Sequence, residues 1–189
     1  MTSSDAGMFA RSIHEQAAVL AAFARAEASL FEILGGWVAT TRTTRAKLLL
    51  DRHSAHAAWR SEQWRARVPT VPPADALPGL ATEPGRWRAL GGIDALAELS
   101  GDAVRLAGAY RFAFPRLHAA YTEEGLRSSP VADAAVLRTL RQAEDDLQAD
   151  WLEGELLLQD LMRSETDVEA AGRALIGLER GLMGGGGTH

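Results

Sequence analysis

The sequence lacks cysteine altogether. This absence excludes disulfide bonds, thiolate-held metals, iron–sulfur clusters and a cysteine nucleophile. The chain also lacks an apolar run of about 18 residues or more, so no membrane-spanning helix is expected. The first residues, MTSSDAGMFARSIHEQ, do not show the basic start and apolar stretch of a secretory signal. These absences together predict a cytoplasmic protein without a membrane partner.

Some residue types are scarce or absent, and the charged residues are unevenly distributed along the chain. Lysine occurs once and asparagine not at all, which indicates the codon bias of a GC-rich bacterial genome. The net charge of −5 disfavours a nucleic-acid partner, because such proteins hold phosphates with a basic surface. Residues 42–67 nevertheless carry seven basic and two acidic side chains, whereas residues 141–169 carry two basic and ten acidic ones. We expect these segments to complement each other or to face water. Contact with a second copy or a larger assembly is the alternative.

Helical patterning runs through most of the chain. Apolar residues recur at helical spacing in long proline-poor segments, which predicts an all-α protein with one helical-bundle domain over residues 1–183 and a loose tail over 184–189. A kink is expected at Pro115. Residues 69–92 hold five of the seven prolines and predict a long irregular crossover between the second and third helices. The predicted helices are 8–36, 45–68, 101–127, 131–163 and a short fifth one at 167–182.

The most specific candidate site involves the first two helices. Glu27 occupies a core position of the first helix, where an apolar residue is expected. In the stretch DRHSAHAAW, His53 falls within the apolar face of the second helix and His56 about 60° to one side of it. Antiparallel packing places Glu27 at the level of residues 53–57. The apolar stripe that contains Glu27 is Ile13, Ala17, Leu20, Ala24, Glu27, Phe31 and Leu34.

Two interpretations of this convergence stay open. A buried carboxylate needs a partner, and a carboxylate with two imidazoles is a suitable ligand set for a divalent transition metal. The alternative is a hydrogen-bonded Glu–His pair in a metal-free core.

These features resemble the ferritin-like superfamily. Its dimetal-carboxylate members are four-helix bundles in which two helices each supply a Glu and the other two each supply Glu-x-x-His. Glu27 matches the lone Glu of the first helix and His56 the histidine of the second, but His53 stands where the motif has Glu. The fourth helix has no histidine, so the resemblance implies either one metal, completed by Glu144 or Asp150, or a bundle that has lost its metal.

The resemblance also carries expectations about function. It implies a ferritin-like four-helix bundle with metal ligands Glu27, His53, His56 and Glu144, iron or manganese as the cofactor, and oxidation of a small molecule. The competing prediction is a metal-free bundle that binds a small-molecule ligand or acts as a homodimer or accessory subunit. The sequence leaves enzymatic activity open between these two.

Aromatic and polar residues form two further groups. One is predicted either to line a polar pocket or to be core with local hydrogen bonds, and it comprises Tyr110, His118, Tyr121 and Trp151. The other is expected to lie along an exposed edge of the bundle with long side chains reaching water, and binding of an anionic ligand or a partner surface is the alternative. It comprises Trp59, Arg60, Trp64, Arg65 and Arg67.

Overall fold

The fold is built from helices. The computed structural model describes residues 12–70, 90 and 92–184, and no β-strand occurs in those ranges, which confirms the predicted all-α class. A 3-10 helix lies at Ile93–Glu98 and a π-helical segment at Gly108–Ala113. The α-helices are α1 (Ile13–Val38), α2 (Thr44–Arg65), α3 (Asp102–Ala107), α4 (Phe114–Arg127), α5 (Ala134–Leu161) and α6 (Glu165–Gly184).

The observed helices follow the predicted ones with small shifts at their ends. The predicted third helix is a continuous run of α3, the π segment and α4, and the short fifth helix is α6, which has 20 residues. The crossover predicted for residues 69–92 lies almost wholly outside the described residues, as do residues 8–11 and 185–189. Among the helices described, none combines the length and apolar character needed to cross a bilayer.

Helices α1 and α2 form a close antiparallel hairpin. Ser54 Oγ donates a hydrogen bond to the Phe31 carbonyl at 3.1 Å, and Ser61 Oγ donates to the Ala24 carbonyl at 2.8 Å. Gly35 lies against Ser54, since a Cβ atom at position 35 would sit 3.0 Å from Ser54 Oγ. These contacts set the register that turns Glu27 toward the buried face of α2.

The stripe predicted on α1 is wrong at two positions. Ile13 is 53% exposed and Phe31 45% exposed, although Glu27 is fully buried as expected. The buried face of α1 is centred on Phe23 and Leu30, and Phe31 lies about 100° further round the helix than Leu30. The predicted stripe was therefore set to one side of the true one.

The continuous run of α3, the π segment and α4 buries one face, as does α5. The structure accommodates Pro115 with the π segment, which ends two residues before it, and the Phe114 amide donates to the Ala109 carbonyl five residues back. Proline lacks an N–H group and its ring disturbs the regular pattern of the preceding turn. The buried residues of the two faces include Leu106, Tyr110, Phe114, Leu117, Tyr121, Val136, Leu140, Ala143, Leu147, Gly154 and Leu158.

The basic and acidic segments complement each other, as expected. Helices α2 and α5 run antiparallel and are joined by a row of charged contacts, which we call the α2–α5 seam. At one end Arg45 pairs with Asp160 at 2.8 Å, and further along Arg52 pairs with Glu153. The seam continues inward through His56, Arg60, Asp146 and Asp150.

Candidate functional site

A fully buried polar cluster lies where α1, α2 and α4 meet. Its members, Glu27, Arg60, Trp64 and Tyr121, are each 0% exposed, and we call them the core cluster. Arg60 Nε donates to Glu27 Oε1 at 2.7 Å, and the Tyr121 hydroxyl donates to the same oxygen at 2.6 Å. Trp64 Nε1 donates in turn to the Tyr121 hydroxyl at 2.8 Å. Each member thus has a partner within the protein, but Glu27 Oε2 and Arg60 Nη2 are buried without a hydrogen-bond partner among the described residues.

The core cluster corrects two sequence interpretations. Arg60 and Trp64 do not lie at an exposed edge, because they follow His53 by two and three helical turns on the same buried face. Glu27 does not pair with a histidine either, since Arg60 and Tyr121 both bond to its Oε1 atom. The cation beside Glu27 is an arginine of the chain.

Burial and mutual contact shape the ionisation of these groups. Burial raises the pKa of Glu27, while Arg60 and Tyr121 act in the opposite direction. Burial alone would lower the pKa of Arg60, but the contact with Glu27 raises it above its ordinary value. Burial and Glu27 raise the pKa of Tyr121 well above its usual range, so its hydroxyl is a proton donor.

A second group of ionisable residues lies beside the core cluster on the α2–α5 seam. It consists of His56, Asp146 and Asp150, which we call the seam group. Arg60 Nη1 donates to Asp146 Oδ2 at 2.5 Å and to Asp150 Oδ2 at 3.0 Å. The other oxygens of the two carboxylates lie near His56 Nδ1, with Asp150 Oδ1 at 2.8 Å and Asp146 Oδ1 at 3.9 Å. One imidazole nitrogen and two carboxylate oxygens therefore lie within 4.8 Å of one another.

The seam group opens to solvent on one side. The side chain of His56 is 38% exposed and that of Asp146 31%, whereas Asp150 is 4% exposed. An ion could thus reach these atoms from outside without passing through the core. A histidine with two carboxylates is a ligand set that suits manganese, iron or zinc.

His53 connects the seam group to the opposite side of the bundle. Its side chain is fully buried; Nε2 lies 3.3 Å from Asp150 Oδ1 and 3.4 Å from Glu153 Oε2, and Nδ1 lies 2.8 Å from the Tyr110 hydroxyl. Burial lowers the pKa of His53, with Asp150 and Glu153 opposing it, which favours a neutral ring. Burial raises the pKa of Tyr110 well above its usual range, so Tyr110 donates to Nδ1 and the ring proton lies on Nε2.

A glycine lets Tyr110 reach His53. A Cβ atom at position 154 would lie 2.3 Å from Cε1 of Tyr110, so the ring passes against the bare backbone of α5. Tyr110 belongs to the π segment, and such segments are frequent at functional sites. The chain of contacts from Tyr110 through His53 to Asp150 therefore depends on Gly154 at its narrowest point.

The structure separates the other predicted site residues. Glu144 accepts a hydrogen bond from Thr122 Oγ1 at 3.1 Å on the α4 side of α5, away from the seam group. Tyr121 belongs to the core cluster and Tyr110 to the His53 contact. The rings of His118 and Trp151 lie next to each other, with centroids 6.0 Å apart. A cleft of about 470 Å³ lies between the π segment, α4 and α5, and Tyr110 and Trp151 help to line it.

Sequence reasoning missed the central roles of Arg60, Asp146 and Gly154. The spacing of four residues between Asp146 and Asp150 placed both on one face of α5, and that signal was available. The acidic character of α5 pointed to its pairing with α2, but the register that joins Arg60 to both carboxylates comes from the packing of the two helices.

Comparison with known proteins adds no relative. No family model matches the chain, and neither the search of curated proteins nor that of solved structures gives a significant match.

Proposed function

We propose that this protein is a ferritin-like helical bundle that binds one divalent transition metal at the seam group, with iron or manganese as the metal and oxidation of a small molecule as its chemistry. The observation that carries the proposal is the shortage of positive charge at this point. Three carboxylates, those of Glu27, Asp146 and Asp150, contact a single guanidinium, that of Arg60. A metal ion beside His56 supplies the missing charge.

The arrangement of the carboxylate oxygens supports this proposal. Arg60 holds one oxygen each of Asp146 and Asp150, and the remaining oxygens lie on the side of His56. Partners that bond to the outer atoms of metal ligands orient those ligands, and Arg60 is placed to act in this way. His56 and Asp146 are partly exposed, whereas Asp150 is held inside, so a small molecule could approach an ion held by these residues from the solvent side.

Each residue then has a defined part. His56, Asp146 and Asp150 hold the ion, and His53 positions Asp150 through its Nε2 proton. Bound iron or manganese would supply Lewis-acid and one-electron redox chemistry. Glu27 belongs to the core cluster and is a structural residue, and Glu144 lies too far round α5 to join the set.

The test is metal binding by protein that has been purified without a metal-binding tag and stripped with a chelator. Calorimetric titration with manganese, and with iron(II) under anaerobic conditions, should show one ion per chain. His56→Ala and Asp146→Asn should each weaken binding at least tenfold. There are two matched controls, and both should bind as the parent does. His118→Ala changes a histidine of α4 outside the seam group. Asp145→Asn changes the exposed neighbour of Asp146.

One specific observation favours a second candidate function. Arg60 contacts all three carboxylates, so each of them already has a cation of the chain as a partner. On this reading the protein is a metal-free bundle that acts by binding a ligand or as an accessory subunit. Absence of saturable metal binding in the stripped parent protein would establish this reading over the first.

A further inference from the structure

The contact that the π segment and α4 make with α5 contains a gap in its polar pairing. At one end Arg111 and Glu155 form a double contact at 3.0 and 2.6 Å, and at the other end Thr122 donates to Glu144 at 3.1 Å. Between these two pairs, the described side chains make no hydrogen bond from α4 to α5. The cleft of about 470 Å³ lies in this interval, next to the π segment.

The cleft walls are apolar and aromatic, and its polar groups carry no net charge. Pro115, Trp151 and Leu152 are its apolar lining residues, and Tyr110, which is fully buried, lines it as well. Arg111 and Glu155 also line the cleft, and because they pair with each other, the lining has no excess charge of either sign. Gln148 also lines the cleft, and its amide can both donate and accept a hydrogen bond.

We propose that this cleft binds a neutral, planar aromatic small molecule that carries one hydroxyl or carbonyl group. The ring of such a molecule packs against Trp151 and Pro115, and its polar group bonds with Gln148. The volume falls within the range of about 300–1,000 Å³ that is typical of small-molecule sites. Stacking on an aromatic side chain contributes beyond the area that it buries.

This inference is independent of the proposed metal. The seam group lies on the α2 side of α5 and the cleft on the α4 side, so ligand binding can be measured on metal-free protein. One chain of contacts joins the two sites, since Tyr110 lines the cleft and contacts His53, which lies against Asp150. A failure of one proposal therefore leaves the other intact.

The experiment is a titration of the stripped 189-residue chain with 2-naphthol, followed by amide chemical shifts and calorimetry. We expect saturable binding, with the largest shifts in residues 110–118 and 148–155. Leu152→Arg should weaken binding at least tenfold, because the new side chain fills the mouth of the cleft. Leu156→Arg is the matched control: Leu152 is 62% exposed and Leu156 68%, both lie on α5, and only Leu152 lines the cleft. The control should bind within twofold of the parent.

Charged analogues test the ligand class. We expect 2-naphthoate and a naphthylmethylammonium salt each to bind at least tenfold more weakly than 2-naphthol. Equal or tighter binding of either ion would overturn the neutral class. No saturable binding of 2-naphthol, shifts centred elsewhere, or equal effects of the two arginine variants would overturn the site itself. Circular dichroism of both variants checks that the helices are retained.

Discussion

Arg60 belongs to the core cluster and also contacts the two carboxylates of the seam group. The surroundings of the charged groups differ between these two regions. In the core cluster, Glu27 is fully enclosed and receives bonds from Arg60 and Tyr121. In the seam group, Asp146 and Asp150 receive one contact each from Arg60, and their other oxygens lie near a half-exposed imidazole. The core cluster is enclosed within the protein, whereas the seam group is open to solvent on one side.

This difference indicates which of the two polar regions can bind an ion or a small molecule from solution. A buried charge is tolerated when paired and hydrogen-bonded, and such a network fixes one arrangement of the core. A group of ligand-type atoms that reaches the surface can exchange its partners for an ion or a small molecule. The core cluster therefore has a structural role, and the seam group is the place where binding is expected.

Removal of the shared arginine is expected to have the largest effect. Arg60→Met should lower the free energy of unfolding by about 3–5 kcal/mol, because Glu27 and Asp150 then remain buried without a cation. Urea unfolding followed by circular dichroism measures this change. Arg65→Met, an exposed arginine on the same helix, should stay within about 0.5 kcal/mol of the parent.

The double variant Glu27→Gln/Arg60→Met sharpens the result. If the pairing of these two groups dominates, the double variant should lose clearly less stability than the sum of the two single variants. Strict additivity would show that Arg60 acts mainly on the seam carboxylates, and the assignment of Arg60 to the core cluster would then be wrong.

The next largest effect on stability is expected at Gly154, where the Tyr110 ring packs against the backbone of α5. Gly154→Ala should lower the free energy of unfolding by about 1–3 kcal/mol, because the new methyl group overlaps the Tyr110 ring. The same change should displace Tyr110 from His53, which the nitrogen chemical shifts of the His53 ring would report.

A matched glycine on α6 separates packing from helix propensity. Gly172 has no atom within 4 Å of an added Cβ, so Gly172→Ala should raise stability by up to about 1 kcal/mol. If Gly154→Ala were also stabilising, the ring would have room to move, and Gly154 would not be the narrow point of the contact chain.

The fold was easier to predict than the site, for physical reasons that individual residues illustrate. The burial of Glu27, His53, Tyr110 and Tyr121 follows from helical spacing, because residues three, four and seven apart share a face. The pairing of a basic helix with an acidic one was likewise expected from composition alone. Spacing and composition are properties of one helix at a time, and they were sufficient for these features.

The partners of those residues depend on how two helices are placed against each other. Arg60 was expected at the surface, because charged side chains are rarely enclosed without a partner. Its partners come from α1 and α5, 33 and 90 residues away along the chain in the cases of Glu27 and Asp150. No local pattern marks Gly154 as the residue that admits Tyr110, since only the packed structure shows that contact.

The two buried tyrosines allow a direct comparison of the core cluster with the seam group. Tyr121→Phe removes a donor to Glu27 and the acceptor of the Trp64 N–H group, and it should lower the free energy of unfolding by about 1–3 kcal/mol. Because Tyr121 lies in the core cluster, manganese affinity at the seam group should stay within twofold of the parent. Calorimetry and urea unfolding measure the two quantities on the same preparation.

Tyr110→Phe should show the opposite balance. The lost bond to His53 Nδ1 costs about 1 kcal/mol, but it also frees the ring that positions Asp150, so manganese affinity should fall about tenfold. Equal effects of the two tyrosine variants on metal affinity would mean that the core cluster and the seam group form one cooperative network. The distinction between a structural and a binding region would then fail, and Arg60, which touches both, would be the residue that joins them.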